Sequence, residues 1–191
     1  LFYCLFNAEK RKTDIKTLIN INEKKIDGLL DRFTDAIINY SIKQIDAGID
    51  AFQLFESWAG ILNNEQFEKW CIQPTIKIFK EVNSKKIPTI GFPRASSVNN
   101  QIKYSNIQNI DCLSLDYNFP LGEVAKLNQK ISYQGNLHPE VLLKGGEEQT
   151  KAIEKILQTF STKSHIFNLG HGVLPETPTQ HIEQLVRQVR E

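Results

Sequence analysis

His165-Ile166-Phe167-Asn168-Leu169-Gly170-His171-Gly172-Val173-Leu174-Pro175-Glu176-Thr177-Pro178 is the stretch whose reading decides the fold. Its first three residues are a short apolar run of the kind that makes a fully buried strand. The run breaks at Gly170-His171-Gly172. A histidine between two glycines just past a strand end sits on backbone free to take unusual dihedrals, where a ligand can approach closely. Thr177, with Pro178 behind it and Gln180 three residues on, reads as a helix start: N-cap, Pro at N1 and capping-box partner. One titratable ring is thus presented at the carboxyl end of a strand, ahead of the next helix. In α/β proteins built on parallel strands, ligands bind there. Two roles fit His171 at this point: a ligand contact, or a ring that satisfies a backbone carbonyl in a tight turn.

Working outward, the same alternation repeats upstream. Ile26, Leu29, Leu30, Phe33, Ile37, Ile38, Ile42 and Ile45 fall at helical spacing, and Gly48 stands where a C-cap glycine would end that helix. Ile49 to Phe55 is a strand candidate followed by the polar pair Glu56-Ser57. Asn63 or Asn64 caps a further helix through Trp70 and Phe79, with Pro74 starting its second half. Strands are then predicted at Ile87–Pro93, Asp111–Tyr117 and Ile131–Leu137, before the one at His165. Helices follow them from Val98 to Ile107, from Pro120 to Leu127, from Glu147 to Phe160, and at the end of the chain to Arg190.

Five strands alternating with helices argue for βαβ units and a parallel sheet. Their ends carry Glu56-Ser57, Asp116, Gln134-Gly135-Asn136 and Gly170-His171. Polar groups collected at the same end of successive strands are the layout of a (β/α)8 barrel's active face. The expected fold class is therefore α/β, a partial TIM barrel. A barrel of that kind takes about 250 residues, against 191 in this sequence. The chain also contains no methionine and opens inside an apolar segment, so the N-terminal strands are expected to lie upstream of Leu1. Residues 1–191 are accordingly read as the C-terminal portion of one barrel domain.

Composition narrows the function. A net charge of +1 offers no electrostatic case for nucleic acid or an anionic membrane as partner. No apolar run approaches the roughly 18 residues of a membrane helix, and Leu1–Phe6 lacks the basic flank and cleavage site of a signal peptide. Cys4, Cys71 and Cys112 form no CxxC pair and read as reduced thiols of a cytoplasmic protein. No GxGxxG follows a strand, Gly145-Gly146-Glu147 lacks the Lys-Ser/Thr end of a P-loop, and HExxH, His-x-Cys and GxSxG are missing. His138, His165, His171 and His181 are not spaced as a zinc set. What is left is a pocket without metal or organic cofactor, lined by Tyr, Ser, Asp, Asn and His.

Phe52-Gln-Leu-Phe-Glu-Ser-Trp-Ala-Gly60, Leu115-Asp116-Tyr117, Gln134-Gly-Asn-Leu137 with Pro139, and Phe167-Asn-Leu-Gly-His-Gly172 with Thr177-Pro178 resemble the uroporphyrinogen decarboxylase family, in the family's order and spacing. The resemblance covers essentially the whole chain and somewhat more than the C-terminal half of the enzyme. It implies a cofactor-free (β/α)8 barrel, usually a homodimer, that removes the four acetate carboxyl groups of uroporphyrinogen to give coproporphyrinogen in haem synthesis. The family's functional Tyr matches Tyr3, its strand-end Ser matches Ser57, and its Gly-flanked His matches His171. Tyr3 and His171 are the implied catalytic residues, and all three are implied to bind substrate. The family's pyrrole-binding Asp and carboxylate-binding Arg residues belong to its N-terminal portion, so this segment alone is expected to be inactive. Outside the resemblance, Tyr3 also fits a core tyrosine, Ser57 a helix cap, and Asp116 a structural strand-end carboxylate.

The sequence departs from the family pattern at several places. Phe6-Asn7 replaces Glu-Gly, His138 the Asp before Pro139, Ser114 a Gly, and Tyr117 a Trp. Two other readings accompany the decarboxylase. One is the related cobamide-dependent methyltransferases, whose zinc-binding His-x-Cys is absent here. The other is a fragment or paralogue that binds porphyrin without turning it over.

Overall fold

The computed structural model describes residues 23–190. It is an α/β fold with a five-stranded sheet in the order β1-β2-β3-β4-β5, all neighbours parallel. The strands are β1 (Phe52–Phe55), β2 (Thr89–Phe92), β3 (Cys112–Ser114), β4 (Ser132–Leu137) and β5 (His165–Leu169). The helices are α1 (Glu23–Asp46), α2 (Asn64–Phe67), α3 (Gln73–Ser84), α4 (Val98–Ser105), α5 (Pro139–Lys144), α6 (Gly146–Thr159) and α7 (Thr179–Arg190). A wide π-helical segment, Glu68–Ile72, joins α2 to α3, and a 3₁₀ segment, Leu121–Lys126, stands in place of a helix between β3 and β4.

Local chemistry accounts for most of these boundaries. Asn63 caps α2 by accepting from the Gln66 N–H at 2.9 Å, while the Gln66 side chain accepts from the Asn63 N–H at 3.2 Å. Those two bonds satisfy donors that a helix start leaves open. Ser97 caps α4 through Asn100, and Pro74, which cannot donate to the preceding turn, stands directly after the π-helical segment at the second position of α3. On α1, Asp27 accepts from the Lys69 ammonium at 2.6 Å and from the Trp70 indole at 2.7 Å. Those bonds tie α1 to the π-helical segment and lower the Asp27 carboxyl pKa.

The larger of two hydrophobic clusters among the described residues lies between the sheet and its helices. Phe67 and Phe79 from the helical layer meet Leu113 and Tyr133 from the sheet, and Leu142 and Ile153 close it on the β4 side. All six are essentially inaccessible to solvent, and truncating such a side chain costs about 2–5 kcal/mol. Among the described residues no helix is long and apolar enough to cross a membrane.

Three expectations need correction. β5 is not fully buried: its residues alternate between half-buried and exposed, and Ile166 is 48% exposed. The strand pairs with β4 alone among the described residues, so its side chains have strand neighbours on one flank only. The last helix starts at Thr179, and the Thr177 hydroxyl has no hydrogen-bond partner among the described residues, so the predicted capping box does not form. Neither Gly170 nor Gly172 takes a positive φ. A Cβ on Gly170 would stand 2.1 Å from the Tyr117 backbone nitrogen, so that glycine serves a close approach of two chain segments.

Candidate active site

All five strands contribute to one cleft of about 430 Å³. Side chains of paired residues in a parallel sheet point to the same face. The pairs Phe55↔Phe92 and Ser114↔Gln134↔Ile166 therefore run across one face of this sheet. Phe55, Phe92, Ser114 and Gln134 line the cleft from that face. Gln134 is buried and donates to the Ser114 hydroxyl at 3.2 Å, which holds its amide at the floor of the cleft.

Ser57 and His171 line this same cleft. Ser57 follows β1 by two residues, His171 follows β5 by two, and both are exposed. Tyr3 lies outside the described residues. The structure thus brings two of the three expected site residues together and leaves the third undescribed.

The other histidines are used elsewhere. His165 donates from Nε2 to the Gly135 carbonyl at 2.6 Å and stacks on Phe160, the rings 4.2 Å apart and 5° from parallel. Burial lowers its pKa, and the Gly135 bond opposes that only in part. His181 lies with Nδ1 3.0 Å and 3.1 Å from the carbonyls of Leu142 and Leu143, donating to the end of α5. His138 accepts from the Glu140 N–H at 3.1 Å, capping α5. An aspartate at that position would supply the same kind of acceptor, so His138 preserves the cap. Its ring meets Tyr117 at 4.3 Å, which places two of the sequence's departures from the family pattern in contact. Of the four histidines, His171 is the one that faces the cleft.

Not every polar strand-end residue serves the cleft. Asp116 is buried and accepts from the Asn118 N–H at 2.9 Å and the Asn118 amide at 3.0 Å. Asn136 donates to the carbonyls of Asp116 and Phe119. Both residues brace the loop that follows β3. Glu56 points away, into the helical layer. The Thr75 hydroxyl donates to its carboxyl at 3.1 Å, and the Tyr104 hydroxyl lies 3.4 Å from that of Thr75. Burial pushes the Glu56 pKa up to about 7, with hydrogen bonds from Thr75 and Cys71 opposing it. Glu56 and Ser57 also border a second, apolar cleft of about 270 Å³ between α1, β1 and α3, which includes Ile26, Leu30 and Ile78.

Sequence reasoning missed Arg94 and Gln53, which also line the main cleft. The signal for Arg94 was its place two residues past β2, matching Ser57 after β1. No group of three or more His, Cys, Asp or Glu among the described residues is placed to hold a metal ion.

Comparison of the sequence with known proteins finds matches over most of the chain. A family model described as uroporphyrinogen decarboxylase (URO-D) matches residues 1–191. Uroporphyrinogen decarboxylase from Chelativorans sp. (strain BNC1) is 41% identical over 170 residues, 88% of this chain and 49% of that protein. The protein of the same name from Wolbachia sp. subsp. Brugia malayi is 38% identical over 188 residues, 97% of this chain and 53% of the relative. That from Rickettsia rickettsii (strain Sheila Smith) is 40% identical over 186 residues, 95% and 54% respectively. The chain spans about half the length of these relatives.

Proposed function

We infer the function from one premise: the chain belongs to the uroporphyrinogen decarboxylase family. The proposal is that it forms the C-terminal portion of a (β/α)8 barrel domain that removes the four acetate carboxyl groups of uroporphyrinogen, giving coproporphyrinogen. The observation that carries the reading is the meeting of Ser57 and His171 in one cleft at the carboxyl ends of parallel strands. The names of the relatives lend no support to the methyltransferase or the non-catalytic reading.

The chemistry asks little of the protein beyond position and charge. Protonating a pyrrole carbon next to the acetate-bearing position makes the ring a cationic electron sink. The electrons of the breaking C–CO₂ bond flow into that sink and CO₂ leaves; the exocyclic methylene then takes up a proton and the ring carbon gives one up, which leaves a methyl group on the pyrrole. Because the substrate supplies the sink, the proposed reaction needs no organic cofactor or metal. The protein must hold the macrocycle, place a proton donor and stabilise positive charge on the pyrrole nitrogens. In this proposal Tyr3 and His171 donate hydrogen bonds to substrate carboxylates or relay protons, and Ser57 orients a carboxylate.

The complete protein is proposed to act in the cytoplasm as a homodimer, and residues 1–191 expressed alone to be catalytically silent. The test is the complete protein incubated anaerobically with uroporphyrinogen after exhaustive chelation. Coproporphyrinogen should form at the full rate. A loss of activity that zinc restores would overturn the proposal.

A further inference from the structure

We propose that Arg94 is a substrate-positioning residue of the cleft, which receives a carboxylate that the substrate keeps. This deepens the decarboxylase reading and rests on it. Arg94 lines the cleft shared by Ser57 and His171. Among the described residues the rest of the lining includes glutamine, serine, asparagine, aromatic and aliphatic side chains, but no carboxylate. Among the described residues Arg94 takes part in none of the ion pairs. Its Nε is shielded from solvent and has no hydrogen-bond partner among the described residues.

A shielded guanidinium N–H without an acceptor is an uncompensated donor. Its fork of N–H groups fits a carboxylate in bidentate geometry. The backbone around it is fixed on both sides. The Arg94 N–H donates to the Phe92 carbonyl at 3.0 Å, and the Arg94 carbonyl accepts from the Gly60 N–H at 3.0 Å. The guanidinium is therefore carried on an anchored turn, and an anionic ligand supplies the missing acceptor.

The choice between a leaving and a retained carboxylate follows from charge. Loss of CO₂ moves negative charge off the reacting carboxylate. A cation paired with that group would stabilise the ground state more than the transition state and slow the step. Arg94 is better used on a side chain that survives into coproporphyrinogen, where its interaction is the same before and after reaction. Such uniform binding lowers KM without changing kcat.

The experiment compares the complete parent protein with Arg94→Gln and Arg94→Lys. It measures anaerobic coproporphyrinogen binding by calorimetry, uroporphyrinogen turnover and the unfolding midpoint. Arg94→Gln is expected to raise Kd and KM at least tenfold, leave kcat within threefold, and leave the midpoint unchanged. Arg94→Lys should recover part of the affinity through its charge. Unchanged Kd, a fall in kcat at constant KM, or a loss of affinity that tracks a lowered midpoint in both variants would each overturn the inference. A parent that binds coproporphyrinogen but does not turn over uroporphyrinogen would sink the decarboxylase reading while leaving the Arg94 assignment standing. A parent that turns over normally alongside an unaffected Arg94→Gln would do the reverse, and a parent that neither binds nor reacts would remove both.

Discussion

Ser57 and His171 face one cleft although β1 and β5, the strands they follow, are the two outermost strands among the described residues. Strands that stand apart in pairing order bring their carboxyl ends to one place only where the sheet curves. The candidate site is therefore a property of the whole sheet. Each of its two residues can be tested without confusing chemistry with folding, because both are exposed.

His171 should matter for turnover far more than for stability. In the complete protein, His171→Asn is expected to lower the decarboxylation rate tenfold or more, about 1.4 kcal/mol in barrier. The unfolding midpoint should stay where it was. A variant as active as the parent would leave His171 with a structural role only.

Ser57 is proposed to orient a carboxylate through one hydroxyl. A neutral donor to a charged acceptor contributes about 1.5–3 kcal/mol, so Ser57→Ala should lower kcat/KM by about tenfold to a hundredfold. Steady-state kinetics on Ser57→Ala and Ser57→Thr would read this. Loss in the alanine variant with retention of activity in the threonine variant is the expected pattern, and equal activity in all three proteins would contradict it.

The glycines on either side of His171 should behave differently. A Cβ on Gly170 would lie 2.1 Å from the Tyr117 nitrogen and 2.5 Å from its Cα, whereas one on Gly172 would meet nothing within 4 Å among the described residues. Overpacking of this kind typically costs about 1–3 kcal/mol. Gly170→Ala should lower the unfolding midpoint and the activity together. Gly172→Ala should leave stability within about 0.5 kcal/mol of the parent. Matching midpoints for the two variants would show that the loop moves aside freely.

How much of this was legible in the sequence depends on the range of the interactions involved. The α1 periodicity, the Asn63 cap and the alternation of strands with helices are local patterns, and each appears where the residues indicate it. The helix α5 was overlooked although its signals were present: His138 as cap, Pro139 in the first turn and Gly145 after it. The exposure of Ile166 could not be read locally, because it depends on what packs against the open face of β5. Arg94 was not singled out in the sequence. It acquires meaning when residues from five strands enclose a cleft with no other full cation in its lining among the described residues. Glu56 was grouped with Ser57 as a polar strand-end pair. The two separate because Glu56 reaches back to Thr75 on α3 while Ser57 faces the cleft.

That separation makes Glu56 the source of a measurable pH dependence. Its pKa is raised from the ordinary 4.5 to about 7 by burial. Cys71 and Tyr104, the titratable neighbours in the same layer, are raised by burial first and by the Glu56 charge second, so both stay protonated over this range. Below pH 4.5 the carboxyl is protonated in the folded and the unfolded chain alike. As pH rises toward 7, the unfolded chain releases its proton while the folded one retains it, and stability falls with pH by linkage. Above about 7 both forms are ionised and the loss levels off. The full shift would correspond to about 3 kcal/mol, and residual contact of Glu56 with water reduces that figure. Glu56→Gln keeps an acceptor for Thr75 and cannot ionise. Its stability relative to the parent should therefore increase from pH 4.5 to 7 and then hold constant, as read from denaturant midpoints at a series of pH values. A difference that stays flat across that window would mean that Glu56 is ionised in the folded protein at ordinary carboxylate pH.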